Sequence, residues 1–239
     1  MFREVADRAV SRVRAEPIQP GRYPVVFDPR ASGAIALQTI INQCRAPTRG
    51  VDRELLPLGQ RIGPECLSVG DDPTAPGLRT SLVLDDEGTP VTHTVLVQNG
   101  VVVGHLHTRE TAARAGAGAT GHGLAPTLRS LPAARPSNAF LAKGQGDAAE
   151  LLAEMSLGVI VNDVLGVAVD GQQVTITPAV ARMVRGGVVA EAVKCPPISV
   201  SVSNLFGRLD RVAGDFAWDV SAAALHEARS ALAAGEAQD

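Results

Sequence analysis

The chain has 239 residues, 45% hydrophobic and 20% charged, with a formal net charge of -3 and only 3% aromatics. That length buries a real core as one large domain or two small ones, and with so few rings the core must be built from Ala, Val, Leu and Ile. The charge excludes a basic field for nucleic acid, and the scarcity of rings argues against a stacking platform for single strands.

In chain order, Phe2, Val5, Ala6, Ala9, Val10 and Val13 recur at helical spacing between charged residues, which predicts an amphipathic helix of about three to four turns. Acidic residues in its first turns and the lack of an apolar h-region argue against a signal peptide. No apolar run approaches the length of a membrane span. Glu16 to Gly21 forms a linker, and Tyr23 to Phe27 a short buried strand. Asp28-Pro29 reads as an N-cap with proline at the first helical position, opening a helix from about Arg30 to Cys44. Residues 46 to 80 read as irregular, with one short strand near Leu67-Ser68-Val69.

The clearest local signal follows. Val91 to Val97 and Val101 to His107 flank Gln98-Asn99-Gly100, a hairpin with a type I′ turn. A short helix from about Arg109 to Ala115 precedes a Gly-rich and Pro-rich stretch reaching Pro136. Asp147 and Glu150 form a capping box for a helix through Met155 that Gly158 ends. Strands are expected at 159–161, 164–169, 172–177, 180–184, 188–193 and 198–202, with turns at Asp170-Gly171 and Arg185-Gly186-Gly187. Asn204 is expected to cap a helix at Leu205–Val212, and the alanine-rich 221–234 segment to form a terminal helix. Helices do not alternate with strands, so the expected class is α+β with mostly antiparallel twisted sheets and a few flanking helices.

Few residues suggest chemistry. Gly116-Ala117-Gly118-Ala119-Thr120-Gly121 fits G-x-G-x-x-G, but a helix precedes it and a Pro-rich loop follows, the wrong context for a dinucleotide site. His105 and His107 sit two apart on an expected strand and so share a face; they read as polar residues on the wet side of a hairpin, with metal ligation as the alternative. Pairing Gln98 with Val101 puts His93 nearest Leu106, on the side away from both. Asp71-Asp72 and Asp85-Asp86-Glu87 read as solvated turn residues without the spacing of a calcium loop. Cys44, Cys66 and Cys195 form no C-x-x-C pair; Cys44 reads as a small core residue, and reduced thiols suit a cytoplasmic protein. Arg22, Arg30, Arg45, Arg49 and Arg53 read as surface.

The order of motifs is more informative than any one of them. Pro24-Val25-Val26-Phe27-Asp28-Pro29 before a helix, Leu58 to Ile62 leading into Leu67 to Pro73, and Asp86 to Pro90 come first. The Thr94-to-Gly100 hairpin, His105 to Arg109 before Ala112-Ala113-Arg114, Thr120-Gly121, and Arg135 to Asn138 with Leu141 follow. Over about residues 22 to 215 this succession resembles the C-terminal domain of the TldD/PmbA metallopeptidase family, closest to its non-catalytic type. It implies residues 1–21 as N-terminal helix and linker, 22–220 as the homologous domain and 221–239 as C-terminal helix and tail, with the family's N-terminal domain absent.

The resemblance implies a two-subunit peptidase. One subunit carries an H-E-x-x-x-H helix in which two histidines and a later cysteine hold zinc and the glutamate activates water; the other keeps the fold without those ligands. Aligned through the preceding strand and Gly33, the six motif positions fall on Leu37-Gln38-Thr39-Ile40-Ile41-Asn42. Leu37 and Asn42 stand for the histidines and Gln38 for the glutamate; leucine cannot ligate zinc and an amide cannot be the general base. Cys195 precedes a strand, unlike the ligand cysteine, and does not take that role. The expectation is therefore a subunit with no catalytic or metal residue of its own, beside a TldD-like partner that carries zinc, acting on peptides or peptide-like small molecules. His105, His107, Arg109 and Asn138 are the candidate peptide or interface contacts. Two alternatives remain: a homodimeric binding module without catalysis, and a stand-alone metal-dependent hydrolase using His105 and His107.

Overall fold

The computed structural model describes residues 6, 9–10, 12–48, 50–51 and 54–218. Residues 6, 9, 10 and 12–14 are helical; the rest of the expected N-terminal helix, the whole 221–234 helix, Arg49 and Arg53 lie outside the described residues. In order come β1 (Glu16–Pro17), β2 (Val25–Phe27), α1 (Pro29–Thr39), a 3-10 turn (Ile41–Cys44), β3 (Val69–Asp71), β4 (Thr94–Gln98) and β5 (Val101–Val102). Then follow α2 (Arg109–Ala115), β6 (Gly123–Leu124), β7 (Ala133–Ala134), β8 (Ala139–Leu141) and α3 (Ala148–Ala153). The last are β9 (Leu157–Asp170), β10 (Gln173–Arg185), β11 (Val188–Lys194), β12 (Ile198–Ser201) and α4 (Val202–Gly207). The chain is α+β with mostly antiparallel sheets and few helices, as its sequence predicts. It divides into two compact units: one takes the residues up to Ile35 with Lys143–Leu205 and Arg211–Trp218, the other Ala36–Ala142 and Phe206–Asp210.

The first unit is a six-stranded sheet in the order β1-β11-β10-β9-β2, with β12 also on β10. Its interior pairs are antiparallel, whereas β1 and β2 add in parallel to β11 and β9. Four expected strands are in fact two long ones. The breaks seen at 162–163 and 178–179 are irregularities of one continuous ladder, whose register shifts around Pro178 and Val180. Proline has no N–H to give the ladder and is tolerated where a bulge removes the need for it. Alternation puts Val159, Val161, Ala181 and Met183 on one face with Ala31 of α1, and Ile160 and Val184 on the other with Met155. Arg185 pairs with Val188 across Gly186-Gly187, both at positive φ (55° and 80°). Such a two-residue turn matches the twist of the strands that it joins. The Ser201 hydroxyl, not Asn204, caps α4 by accepting from the Asn204 N–H, so that helix starts three residues early.

The second unit holds the four-stranded sheet β5-β4-β3-β8 and the ribbon β6-β7. The hairpin register is as expected: Val97 faces Val102 and Gln98 faces Val101, with Asn99 and Gly100 at φ 50° and 77°. A Cβ on Gly100 would also lie 2.1 Å from the Gly63 carbonyl oxygen, so the turn needs glycine twice over. The second strand is shorter than predicted. The Val103 and Gly104 N–H groups both donate to the Leu96 carbonyl, a bulge that takes 103–107 off the ladder and leads Leu106 beside Arg45 instead.

The α1 helix begins as predicted, with Asp28 Oδ1 accepting from the Ala31 N–H at 2.8 Å. It stops at Thr39, not Cys44. The Gln43 side-chain amide takes the Thr39 carbonyl, Gln43 N–H turns back to Ile40, and the tighter 3-10 turn buries Ile40, Ile41 and Cys44 completely.

Candidate functional site

Leu37 and Gln38 lie on the last turn of α1, and Asn42 on the 3-10 turn beyond it, so the six positions from 37 to 42 are not one continuous α-helix. Asn42 Nδ2 donates to Gln38 Oε1 at 3.0 Å, and Arg45 donates to Asn42 Oδ1 at 3.1 Å. The same guanidinium donates through Nε to the Ala134 carbonyl at 2.7 Å. Arg45 is thus a half-buried tie between the end of α1 and β7, not the surface residue that its sequence context suggests. Arg30 is likewise committed, to Asp163 at 3.3 Å. Cys44 is buried in the core, as expected.

The histidines form a second group. His105 and His107 share one side of the chain, their rings 6.0 Å apart and edge to face, although the strand expected to align them has ended. His105 Nε2 meets the Leu56 carbonyl at 2.7 Å. His107 is buried rather than on a wet face: its N–H donates to Thr120 Oγ1 and its Nδ1 meets Thr111 Oγ1. Burial, with His105 beside it, lowers the pKa of His107 below the ordinary 6.5. His93 is apart from them, edge-on to Phe140 and 3.6 Å from Asp72; the ladder expected to set it against Leu106 ends before both residues. Among the described residues no group of three or more His, Cys, Asp or Glu is placed to hold a metal ion.

Behind Thr120 lies a cluster that sequence reasoning missed. His122 and Asp71 are both completely buried, with Nε2 3.0 Å from Oδ2. His122 Nδ1 lies 2.9 Å from the Thr120 carbonyl oxygen and 3.0 Å from the Thr120 hydroxyl. Asp71 also accepts from the N–H and the hydroxyl of Ser137. In a nucleophile–base pair the imidazole lies between hydroxyl and carboxylate. Here the imidazole lies between the Thr120 hydroxyl and the Asp71 carboxylate, but that hydroxyl donates to the His107 carbonyl and accepts from the His107 N–H, and Asp71 also holds Ser137, which makes a buried clamp of β3 to residues 120, 122 and 137 rather than an activated hydroxyl. The pair is 51 residues apart, and nothing local in Gly121-His122-Gly123 announces it.

Two of the five acids read as solvated are not. Asp71 is in the clamp, and the buried Asp85 accepts from the N–H groups of Glu87, Thr89 and Gly123. These bonds repay the loss of hydration and fix the turn at 85–89. Asn138 is also buried and fully engaged, donating to the Asp72 carbonyl and Ser81 Oγ and accepting from Thr80. Arg109 opens α2 with its side chain exposed, while its N–H donates to Glu87. The glycines of the G-x-G-x-x-G match have other uses: Gly116 caps α2 at φ 63°, and a Cβ on Gly121 would strike Pro90 and Val91 at 2.5 Å.

Comparison with known proteins decides the family. The model of the PmbA/TldA metallopeptidase C-terminal domain matches residues 20–230. This chain belongs to that family. TldD/PmbA relatives include a metalloprotease of Synechocystis, 32% identical over 96% of this chain, and one of Methanocaldococcus jannaschii, 31% identical over 89%. The chain spans about half the length of these curated relatives, 50% and 48%. Among solved structures, a protein from Thermotoga maritima described as a modulator of a DNA gyrase matches with a TM-score of 0.72 at 27% identity, covering 88% of this chain and 49% of its own. TldE from Thermococcus kodakarensis has the same fold, with a TM-score of 0.72 at 21% identity, over 89% of this chain and 50% of that one.

The TldD/PmbA resemblance implies zinc, and the side chains that it aligns with the motif, Leu37, Gln38 and Asn42, do not fit it. Leu37 has no donor atom, the two amides satisfy each other, and a guanidinium reaches Asn42 where a dication would need negative or lone-pair donors. No chemistry is routed through a metal at these residues.

Proposed function

We propose that this chain is a zinc-site-lacking, non-catalytic subunit of a TldD/PmbA-type metallopeptidase, paired with a TldD-like chain that carries H-E-x-x-x-H and acts on peptides or peptide-like small molecules. The observation that carries it is the Gln38–Asn42–Arg45 hydrogen-bonded series at the positions the family resemblance assigns to the motif. A neutral amide replaces the base, and an internal cation stands beside the position of the second histidine. His105 and His107 have no third ligand beside them, since among the described residues no group of three or more His, Cys, Asp or Glu is placed to hold a metal ion. Arg109, with its exposed guanidinium, remains the better of the candidate contacts, because Asn138 has its amide bonded inside its own unit.

The test is reconstitution. The purified chain, a TldD-like chain from the same genome, and their mixture are assayed on a peptide library, with and without added zinc. Hydrolysis by the mixture that neither component matches alone is expected. Zinc-dependent turnover by this chain in isolation would refute the reading.

A further inference from the structure

The β9–β10 ladder of the first unit has an open edge. β10 pairs with β9 from end to end, whereas β2 covers the other side of β9 only at Val159–Val161. Past the irregularity at Asp163 and Val164, the strand runs on to Asp170 with no strand on that side among the described residues. The direction of its backbone groups follows from the turn. Asp170 pairs with Gln173 across Gly171-Gln172, while the Val202 N–H donates to the Gln172 carbonyl on the opposite side of β10. Backbone groups alternate sides along a strand, so Gln173, Thr175 and Thr177 bond to Asp170, Ala168 and Gly166. Leu165, Val167 and Val169 therefore turn their N–H and carbonyl groups to the open edge. Such edges are ordinarily blunted by lysine, proline or an inward-pointing charge. Residues 164–169, Val-Leu-Gly-Val-Ala-Val, have none of these, and Leu165 and Val169 are 52% and 36% exposed.

This edge is complementary to itself. The three outward residues are symmetric about Val167. A two-fold axis there sets Val167 against its equivalent and Leu165 against Val169 of the second copy, all as hydrogen-bonded antiparallel pairs. By alternation the same three side chains share one face, which across the ladder carries the buried Val174 and Ile176. The pairing thus continues an apolar face that already exists, with apolar cross-strand neighbours in every pair. No acid stands opposite an acid in this register. Asp170 meets Val164, and Asp163, which meets Gly171, is already paired with Arg30 at 3.3 Å. We propose that the chain associates into a two-fold dimer through antiparallel pairing of β9 residues 164–170 with the same residues of a second copy. One strand edge buries less than the roughly 800 Å² per partner of a standard interface, so the dimer is weak and concentration-dependent. The proposal goes beyond the subunit reading and does not rest on it.

Sedimentation velocity of the full chain over a wide range of concentration reads the dimer directly. Wild type is compared with Val167→Pro and Val167→Lys, with thermal unfolding of each as the folding control. Proline is admissible on an edge strand where the N–H that it removes faces outward. Val167→Pro deletes both donors of the central pair, and Val167→Lys sets two like charges on the axis. Each is expected to weaken dimerisation at least about tenfold. Val167→Cys, in a Cys66→Ser/Cys195→Ser background, is expected to form an intermolecular disulfide in air, because hydrogen-bonded partners have Cα atoms about 5.5 Å apart. Thr175→Cys in the same background, one strand further in, is expected not to. A wild type that stays monomeric at every concentration overturns the proposal, as does a dimer that the folded variants retain. A dimer without the cross-link at 167 overturns the register and the proposal with it. Monomeric wild type that binds the TldD-like chain, with binding lost in Val167→Lys, gives the edge to that partner and overturns the choice of a second copy.

Discussion

At the scale of single residues, the His122–Asp71 pair carries the largest local consequence. Both groups are completely buried, and each is left without its main partner if the other is removed. Asp71→Ala is expected to lower stability in urea unfolding by about 1–3 kcal/mol for each buried polar group that it leaves unpaired, among them His122 Nε2 and the Ser137 N–H and hydroxyl. Asp71→Ala/His122→Leu is expected to cost clearly less than the two single changes summed, and a strictly additive result would show that the pair is not coupled. The pH dependence of His107 has a definite sign. Its folded pKa lies below the ordinary 6.5, so between the two values the unfolded chain binds more protons. Stability from this residue therefore rises with pH up to about 6.5 and falls as pH drops through that window toward the folded value. His107→Gln is expected to flatten that part of the curve; an unchanged slope between wild type and variant would contradict the burial of His107 as the cause.

At the scale of elements, the ladder of β9 and β10 is the framework of the first unit, and Met183 lies in its packed face. Met183→Ala is expected to lower stability by about 2–5 kcal/mol, measured by denaturant midpoint at unchanged m-value. Gly100→Ala should be costly for a different reason, since it meets both a positive φ and the Gly63 carbonyl. Elements like these separate what was legible in the sequence from what was not. Turn chemistry was local and readable: Asn99-Gly100, Gly186-Gly187, the Asp28 cap and the Asp147–Glu150 box all act as their residue types dictate. The merging of four short strands into two, the early end of β5 and the 3-10 turn after α1 depend on bulges and on core contacts distant in sequence. The same limit governed the site. Leu37, Gln38 and Asn42 stand out only through the family resemblance that aligns them with the motif, and the Arg45 tie and the His122–Asp71 clamp join residues 89 and 51 positions apart.

At the scale of the whole molecule, metal removal separates a structural from a catalytic dependence on zinc. A bound ion stabilises whichever chain supplies its ligands, so chelation should lower the melting temperature of that chain alone. Gln38, Asn42 and Arg45 offer two mutually bonded amides and a guanidinium, none of which releases a proton to bind a dication. Treatment of the isolated chain with a chelator is therefore expected to leave its melting temperature unchanged. In a mixture with a TldD-like chain, chelation is expected to abolish peptide hydrolysis and to destabilise the partner. Differential scanning calorimetry of each chain and of the mixture, with and without chelator, reads all of these outcomes. A drop of several degrees for this chain alone would mean that it holds an ion through side chains other than Gln38, Asn42 and Arg45, and would return it to the class of metal-binding subunits.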